Sequence, residues 1–223
     1  MGWLDSYRTP ADLPEILKVF PLPGALLLPR SELPLNIFEP RYLAMIAAAM
    51  AGDRLIGMIQ PEQENTDLSG HPPLFRIGCA GRITSYAETP DDRILINLCG
   101  ISRFAIEEEL KVETPYRQVK ASFAPFTDDL MPGHREDEVD RPGLLKAFRA
   151  YLDAHDLSTD WKEVDRASTE ALVNTLSVLA PYESRDKQAL LEAASLKTRA
   201  DILVALTEIN LARAGGRSHS QLQ

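Results

Sequence analysis

A carboxylate and a guanidinium flank a proline in the segment 38–42, Phe-Glu-Pro-Arg-Tyr, and they are the most obvious candidates for chemistry in the sequence. A catalytic carboxylate needs a partner acid, base or metal ligand within hydrogen-bonding reach, and the neighbouring sequence supplies none. Pro40 fits the first turn of a helix, where no amide hydrogen is required, and Glu39 would add negative charge at that helix N-terminus. We therefore expect Glu39 and Arg41 to form a structural ion pair or cap where a strand ends and a helix begins.

The other titratable groups do not form a recognisable site. The four histidines, at positions 71, 134, 155 and 219, have no i,i+4 spacing and no cysteine close by, so the sequence predicts no metal site. The acidic runs at 107–109 and 136–138 are typical of solvated surface. An enzyme of unrecognised type that uses Glu39 or these acidic runs stays open as an alternative.

The two cysteines, Cys79 and Cys99, are too far apart for a CxxC metal or redox motif, and both lie in apolar, strand-like runs. We therefore expect buried free thiols. No Gly-Lys dipeptide occurs in the chain, so the phosphate-binding loop G-x-x-x-x-G-K-[ST] is absent. The sequence predicts neither a cofactor nor a catalytic residue.

Charge narrows the range of partners. The chain has 223 residues, with 24 Lys and Arg against 33 Asp and Glu, which gives a net charge of −9. Nucleic-acid binding requires concentrated positive charge to neutralise phosphates, and no segment here is basic, so nucleic acid is not expected as a partner. The longest apolar-rich stretch, 43–51, is far too short to cross a membrane. We expect a cytoplasmic protein with no membrane partner.

Residues 1–125 have the pattern of short strands with one helix, at about 40–51. Apolar residues at 43, 46, 47 and 50 follow helical spacing and predict the buried stripe of that helix. Two long runs around the turn-rich segment 89–93 predict a β-hairpin. Apolar residues at 119, 121 and 123 alternate with polar ones and predict one further strand with a single apolar face. Glycines inside strands favour bends that curl a sheet into a barrel, and they lie at positions 78, 81 and 100.

The second half of the chain has a different pattern. Residues 126–141 are acidic and poor in apolar side chains, which predicts a linker or exposed loop. Residues 142–214 have helical periodicity throughout, with Ser168 as an N-cap and Thr198 at the start of a capping box. We expect the last helix to end at the two glycines 215–216 and the tail 215–223 to be disordered. The fold class predicted is α+β.

Four blocks of the sequence together resemble a known family. The segments "VFPLPGALLLPRSELPLNIFEPRYLAMI", "LIGMIQP", "IGCAGRI" and "INLCGISRFAI" are similar, in order and spacing, to the N-terminal domain of the Lon (La) ATP-dependent proteases. The resemblance covers roughly residues 16–212. It implies a PUA-like β-barrel or coiled sheet followed by an α-helical bundle, without the ATPase and protease domains of the full-length enzyme.

The resemblance also implies a function and a set of residues. The N-terminal domain of Lon recognises unfolded substrate proteins, so we expect this chain to bind exposed apolar segments of unfolded or damaged polypeptides, and a full-length Lon protease is a further expected partner. The family motif residues to which we give a structural role are Phe38, Glu39, Pro40, Arg41, Tyr42, Gly100, Arg103 and Phe104. The candidate peptide contacts are Leu26, Leu27, Leu28, Leu33, Pro34 and His71.

Proline-broken strands offer a physical route to peptide binding, because they leave backbone groups unpaired at a sheet edge to which an extended peptide can add. Two alternatives stay open. PUA-like barrels include RNA-binding modules, although the acidic charge opposes that function. The chain could also be a regulator that docks on a Lon hexamer without binding substrate. The sequence leaves the oligomeric state undetermined.

Overall fold

The structure is a computed structural model that describes residues 3–62 and 71–220. The strands are, in chain order, β1 (Ile16–Pro21), β2 (Glu32–Ile37), β3 (Leu55–Ile59), β4 (Ile77–Glu88), β5 (Ile94–Glu109) and β6 (Arg117–Ser122). The α-helices are α1 (Pro40–Met50), α2 (Arg141–Ala154), α3 (Trp161–Arg166), α4 (Thr169–Leu179), α5 (Ser184–Glu192) and α6 (Leu196–Ser220). Most of the polar loop at 62–73 lies outside the described residues.

The six strands form one mixed sheet in the order β2-β5-β4-β3-β1-β6. Strand β1 runs parallel to β3, and every other pair is antiparallel. An additional pairing between β5 and β6 closes five of the strands into a barrel and leaves β2 as an appended edge strand. The predicted α+β class is therefore confirmed.

Strand β5 is long enough to serve both parts of the sheet. Residues 94–99 pair with β2, residues 105–109 pair with β6, and β4 pairs with β5 along most of its length. The predicted β4–β5 hairpin is therefore confirmed. Register shifts beside Gly81 and Ser85 mark irregularities at which the sheet bends.

The barrel interior is packed around the fully buried ring of Phe104. A β-carbon at Gly57 or Gly78 would approach that ring to 2.8 Å or 2.6 Å, so the two glycines make room for it. The ring of Phe123 lies 6.1 Å away, centroid to centroid, and completes the predicted buried face of β6. The barrel therefore has its own apolar core.

Helix α1 packs on the outside of the sheet, with a buried face that differs from the predicted stripe. Tyr42, Met45, Ile46 and Ala49 are buried, whereas Ala47, which was predicted to be buried, is exposed. Almost every position of this helix is apolar, so the spacing alone does not select one face. Contact with the sheet selects it, and the Tyr42 ring lies 4.2 Å from that of Phe20.

In the helical half, some helix boundaries agree with the prediction and others do not. Ser168 is the N-cap of α4, where its hydroxyl accepts a hydrogen bond from Ala171 N. The predicted capping box at Thr198 is wrong, because α6 begins at Leu196 and the Ser195 hydroxyl accepts from Thr198 N instead. Helix α6 continues to Ser220, so its predicted end at residues 215–216 is also wrong. The last three residues of the predicted tail, 221–223, lie outside the described residues.

One apolar core joins the two halves of the chain. It combines the outer face of the sheet and α1 with helices α2, α4, α5 and α6, through buried residues such as Ile56, Met58, Leu144, Val173 and Leu190. The barrel half and the helical half therefore form a continuous unit. None of the helices in residues 3–62 and 71–220 is long and apolar enough to cross a membrane.

Candidate functional site

The joint between β2 and α1 places the charged pair as the sequence predicts. Glu39 is the N-cap residue of α1 with Pro40 at the first helical position, and Arg41 Nη2 lies 2.7 Å from Glu39 Oε2. The Arg41 guanidinium also stacks 4.5 Å from the Tyr42 ring centroid. Among the described residues, no group of three His, Cys, Asp or Glu side chains is arranged to hold a metal ion. The geometry of this pair is that of a structural link.

Replacing Glu39 or Arg41 with alanine is expected to lower the free energy of unfolding by no more than about 1 kcal/mol. The side chains of Glu39 and Arg41 are 37% and 29% exposed, so water screens their interaction. Urea unfolding of both variants would measure the change. Unchanged stability together with lost polypeptide binding would contradict the structural role.

The motif Gly-Ile-Ser-Arg-Phe at 100–104 lies where the barrel meets the helices. Arg103 Nε and Nη2 each donate to the Asp129 carboxylate at 2.8 Å, and both side chains are buried. Arg103 Nη1 donates to the carbonyl oxygens of Leu191 and Ala193, at 3.1 Å and 2.6 Å. One guanidinium therefore ties β5 to the segment after β6 and to the end of α5.

Asp129 corrects the expectation that 126–141 is only an exposed linker. The segment begins within a 3₁₀ helix, Ala124–Leu130, in which Asp129 is buried. Its carboxylate accepts from the backbone and side chain of Arg103, and its carbonyl oxygen accepts from Arg30 Nη1 at 2.6 Å. One carboxylate of this acidic segment, that of Asp129, is therefore buried and holds together the junction between the barrel and the helices.

Another buried guanidinium, that of Arg199, lies nearby. Its Nε donates to Leu190 O at 2.9 Å and its Nη1 to Asn174 Oδ1 at 3.0 Å, while Asn174 Nδ2 donates to Pro29 O at 2.9 Å. Burial, reinforced by the positive charge of Arg103, lowers the pKa of Arg199 to about 10. Arg199 therefore remains charged at neutral pH and links α6 to α4 and α5.

The two cysteines are free and buried, as predicted. Burial, reinforced by the Asp129 carboxylate, raises the pKa of the Cys79 thiol, and burial also raises the pKa of Cys99. Because the thiolate is the reactive form, the raised pKa values make both thiols less reactive than an exposed cysteine.

The structure separates the candidate peptide contacts into three groups. Leu26, Leu27 and Leu28 are buried in the core that the sheet shares with the helices. Their side chains are not accessible to a peptide in this conformation, which corrects their assignment as contacts. His71 is exposed, but it lies beside Glu109 and Arg117, at the opposite end of β5 from β2.

The third group, Leu33 and Pro34, lies on β2. Among the described strands, β2 pairs with β5 only, so its other edge has no strand neighbour. In an antiparallel pair, alternate residues point their backbone N–H and C=O groups away from the partner strand. Leu33 packs partly into the core, whereas Pro34 is exposed on the outer face. The edge of β2 is therefore open to an extended peptide.

Two further apolar side chains lie close to this edge. Phe38, directly after β2, is 61% exposed, with the Arg93 guanidinium 5.8 Å from its ring centroid. Leu95 is about half exposed and pairs with Asn36, so it lies on the same outer face as Pro34. Sequence reasoning gave Phe38 a structural role and missed Leu95. Nothing in the sequence distinguishes Leu95, because residues 94–96 are all apolar.

The structure thus defines an edge surface, made of the free edge of β2 with Pro34, Phe38 and Leu95. This edge surface presents both backbone groups that pair with no described strand and exposed apolar side chains. Single exposed apolar residues are common on protein surfaces, but a group of them beside an open strand is a feature of interaction sites.

Comparison with known proteins identifies the family. A sequence model described as the ATP-dependent protease La (LON) substrate-binding domain matches residues 16–208. The chain is 25% identical to Lon protease 2 of Myxococcus xanthus over 204 residues, which cover 87% of this chain and 24% of that protein. It is 24% identical to the Lon protease of Escherichia coli (strain K12) over 199 residues, 86% of this chain and 24% of that protein. The chain therefore spans less than a third of the length of these relatives.

Solved structures share the fold. The Lon N-terminal domain protein from Xanthomonas campestris aligns with a TM-score of 0.61 at 20% identity, covering 85% of this chain and 97% of that chain. The N terminal domain of Mycobacterium avium complex Lon protease aligns with a TM-score of 0.64 at 17% identity, covering 86% and 98%. Sequence and fold agree, and the chain belongs to the family of ATP-dependent protease La (LON) substrate-binding domains.

Proposed function

We propose that this chain is a non-catalytic module that binds unfolded or damaged polypeptides in extended form at the edge surface. The observation that carries the proposal is the free edge of β2 beside the exposed ring of Phe38. Membership of a family described as substrate-binding supports it. The module would recruit substrates, or act as an adaptor, for ATP-dependent proteolysis by a full-length Lon protease.

The surface accounts for how such binding would work without a defined recognition sequence. A peptide strand that adds to β2 gains main-chain hydrogen bonds, which do not depend on side-chain identity. Phe38 and Leu95 would contact the apolar side chains of that strand, whereas Pro34 lacks an amide hydrogen and limits the pairing. A binding mode without deep pockets predicts dissociation constants in the micromolar range or weaker.

The test is fluorescence anisotropy with a labelled, permanently unfolded polypeptide, titrated with the full chain at several salt concentrations. Wild-type protein is expected to bind the unfolded polypeptide and not its folded form, with little salt dependence because the contacts are apolar. Replacing both Phe38 and Leu95 with serine is expected to weaken binding at least tenfold, as loss of apolar anchors does.

The matched control is Val112→Ser, which removes an exposed apolar side chain far from β2. That variant is expected to bind like the wild type. Equal affinity of the double variant and the control would show that the edge surface is not the binding site. If the wild type does not bind at high micromolar concentration, the proposal is wrong. Docking on a Lon hexamer would then be tested with the purified protease.

A further inference from the structure

A cavity that shares no residue with the edge surface lies within the helical half. It is a cavity of about 310 Å³ between α2, α4, α6 and the loop that joins α2 to α3. Ligand sites in proteins begin at about 300 Å³, and an apolar cavity of about half this volume is known to hold benzene. The cavity can therefore accept a large apolar side chain.

The lining of this cavity is mainly apolar, and its polar side chains all carry hydroxyl groups. Its walls are built mainly of leucine, alanine and aromatic side chains, among them Leu144, Phe148, Leu176 and Leu203. The Tyr182 and Thr207 hydroxyls lie 2.9 Å apart, and Thr207 Oγ1 donates to Leu203 O at 2.7 Å, so these polar groups are satisfied within the protein. None of the described residues that line the cavity is charged.

The rim of the cavity exposes leucine to solvent. Leu179, at the end of α4, is 73% exposed, and Leu157, in the α2–α3 loop, is 53% exposed. Both contribute to the lining. Exposed apolar residues around an apolar concavity mark an interaction site more reliably than isolated ones.

The charged residues next to the cavity lining in the sequence indicate which kind of partner the cavity would bind. The exposed acidic residues that directly neighbour its lining residues in the sequence are Asp153, Asp156, Asp160, Glu183 and Glu208. The corresponding basic residues are Lys146 and Arg149, and the Arg149 guanidinium is stacked 4.0 Å from the Trp161 ring centroid. The residues that flank the lining in the sequence therefore carry more negative than positive charge, which favours a cationic partner.

We propose that this cavity binds an apolar side chain, leucine or an aromatic residue, of a polypeptide segment that carries lysine or arginine beside it. The apolar side chain fills the cavity between Leu144 and Leu203, and the basic residues face the acidic loop between α2 and α3. A second copy of this chain is disfavoured as the occupant, because a protein of net charge −9 repels itself. The site does not require the edge surface of β2.

The test uses the full chain and three labelled peptides of about a dozen residues. One carries a central leucine pair with lysine on both sides, the second has glutamate in place of lysine, and the third has serine in place of leucine. The first peptide is expected to bind at least fivefold more tightly than either of the others. The preference for lysine over glutamate should shrink in high salt and in the variant Asp153→Asn/Asp156→Asn.

A cavity-filling substitution locates the site. Ala147 lines the cavity and Ala150, three residues further along α2, does not, so Ala147→Phe and Ala150→Phe form a matched pair. We expect Ala147→Phe to weaken binding of the lysine–leucine peptide at least tenfold and Ala150→Phe to change it less than twofold. If Ala147→Phe does not fold by circular dichroism, the rim variant Leu157→Ser/Leu179→Ser replaces it, with the same expected loss.

Specific outcomes would overturn the proposal. Equal binding by Ala147→Phe and Ala150→Phe, or by the rim variant and wild type, would show that the cavity is not the site. Equal binding of the lysine and glutamate peptides would show that the site does not prefer a cationic partner. Self-association of the wild type in sedimentation velocity, lost in Ala147→Phe, would assign the cavity to a second copy. Failure of the edge surface is separate, since Phe38→Ser/Leu95→Ser leaves the cavity intact.

Discussion

Replacing Asp129 with alanine is expected to lower the free energy of unfolding by about 3–5 kcal/mol, the usual cost of removing one partner of a buried ion pair. The reason is that the variant leaves the buried Arg103 guanidinium without its carboxylate. Since small domains are stable by about 5–15 kcal/mol, this loss is a large part of the total. Urea unfolding followed by circular dichroism would measure it.

The neighbouring residue provides the control. Asp128 is largely exposed, and its carboxylate is 3.5 Å from His134 Nε2. Asp128→Ala should therefore change the unfolding free energy by less than about 1 kcal/mol. A change of similar size in the two variants would contradict the role given to the Arg103–Asp129 pair in joining the barrel to the helices.

Replacing Gly100 with alanine is expected to cost about 3 kcal/mol or more, at the upper end of what overpacking produces. A β-carbon at this position would lie 2.0 Å from Leu28 O, and a backbone atom cannot rotate away as a side chain does. The loop that follows Leu28 is held to the same strand by hydrogen bonds, from Arg30 N to Gly100 O and from Gly100 N to Ser31 O, at 2.8 and 2.9 Å. Thermal and urea unfolding would both report the loss.

Gly52 is the matched control, because a β-carbon there would meet its nearest atom at 3.7 Å, an ordinary contact distance. Gly52→Ala should leave stability within about 1 kcal/mol of wild type. If Gly100→Ala proves as mild as Gly52→Ala, then the close approach of β5 to the Leu28 segment is not a constraint on the fold.

The sequence predicted which segments form helices and strands better than it predicted which of their residues are buried. The β4–β5 hairpin follows from two long runs around a turn, and the buried face of β6 follows from strict alternation at Val119, Ala121 and Phe123. Both predictions rest on strand and turn patterns that can be recognised within a short stretch of sequence. The face of α1 was predicted incompletely, since its sequence is apolar all round and only the sheet decides which residues are buried.

Contacts between residues that are far apart in the sequence could not be predicted from local patterns. Asp129 lies in a segment that resembles exposed surface, and its partner Arg103 is 26 residues earlier in the chain. Leu26, Leu27 and Leu28 were expected at a binding surface because they form an apolar run in the proline-broken segment, yet all three are buried in the core. The helical cavity has no local signal at all, because it arises from the spacing of three helices.

Pairing between the ends of the barrel has a consequence for synthesis of the protein. Strand β1 pairs with β6, which joins residues 16–19 to residues 117–120. A chain made from its N-terminus therefore exposes β1 long before β6 leaves the ribosome, and the barrel cannot close in that interval. Pairing over such a sequence separation is slow and leaves strand edges open to aggregation. A protein that we propose to bind unfolded polypeptides thus passes through a stage in which it is itself an unfolded polypeptide.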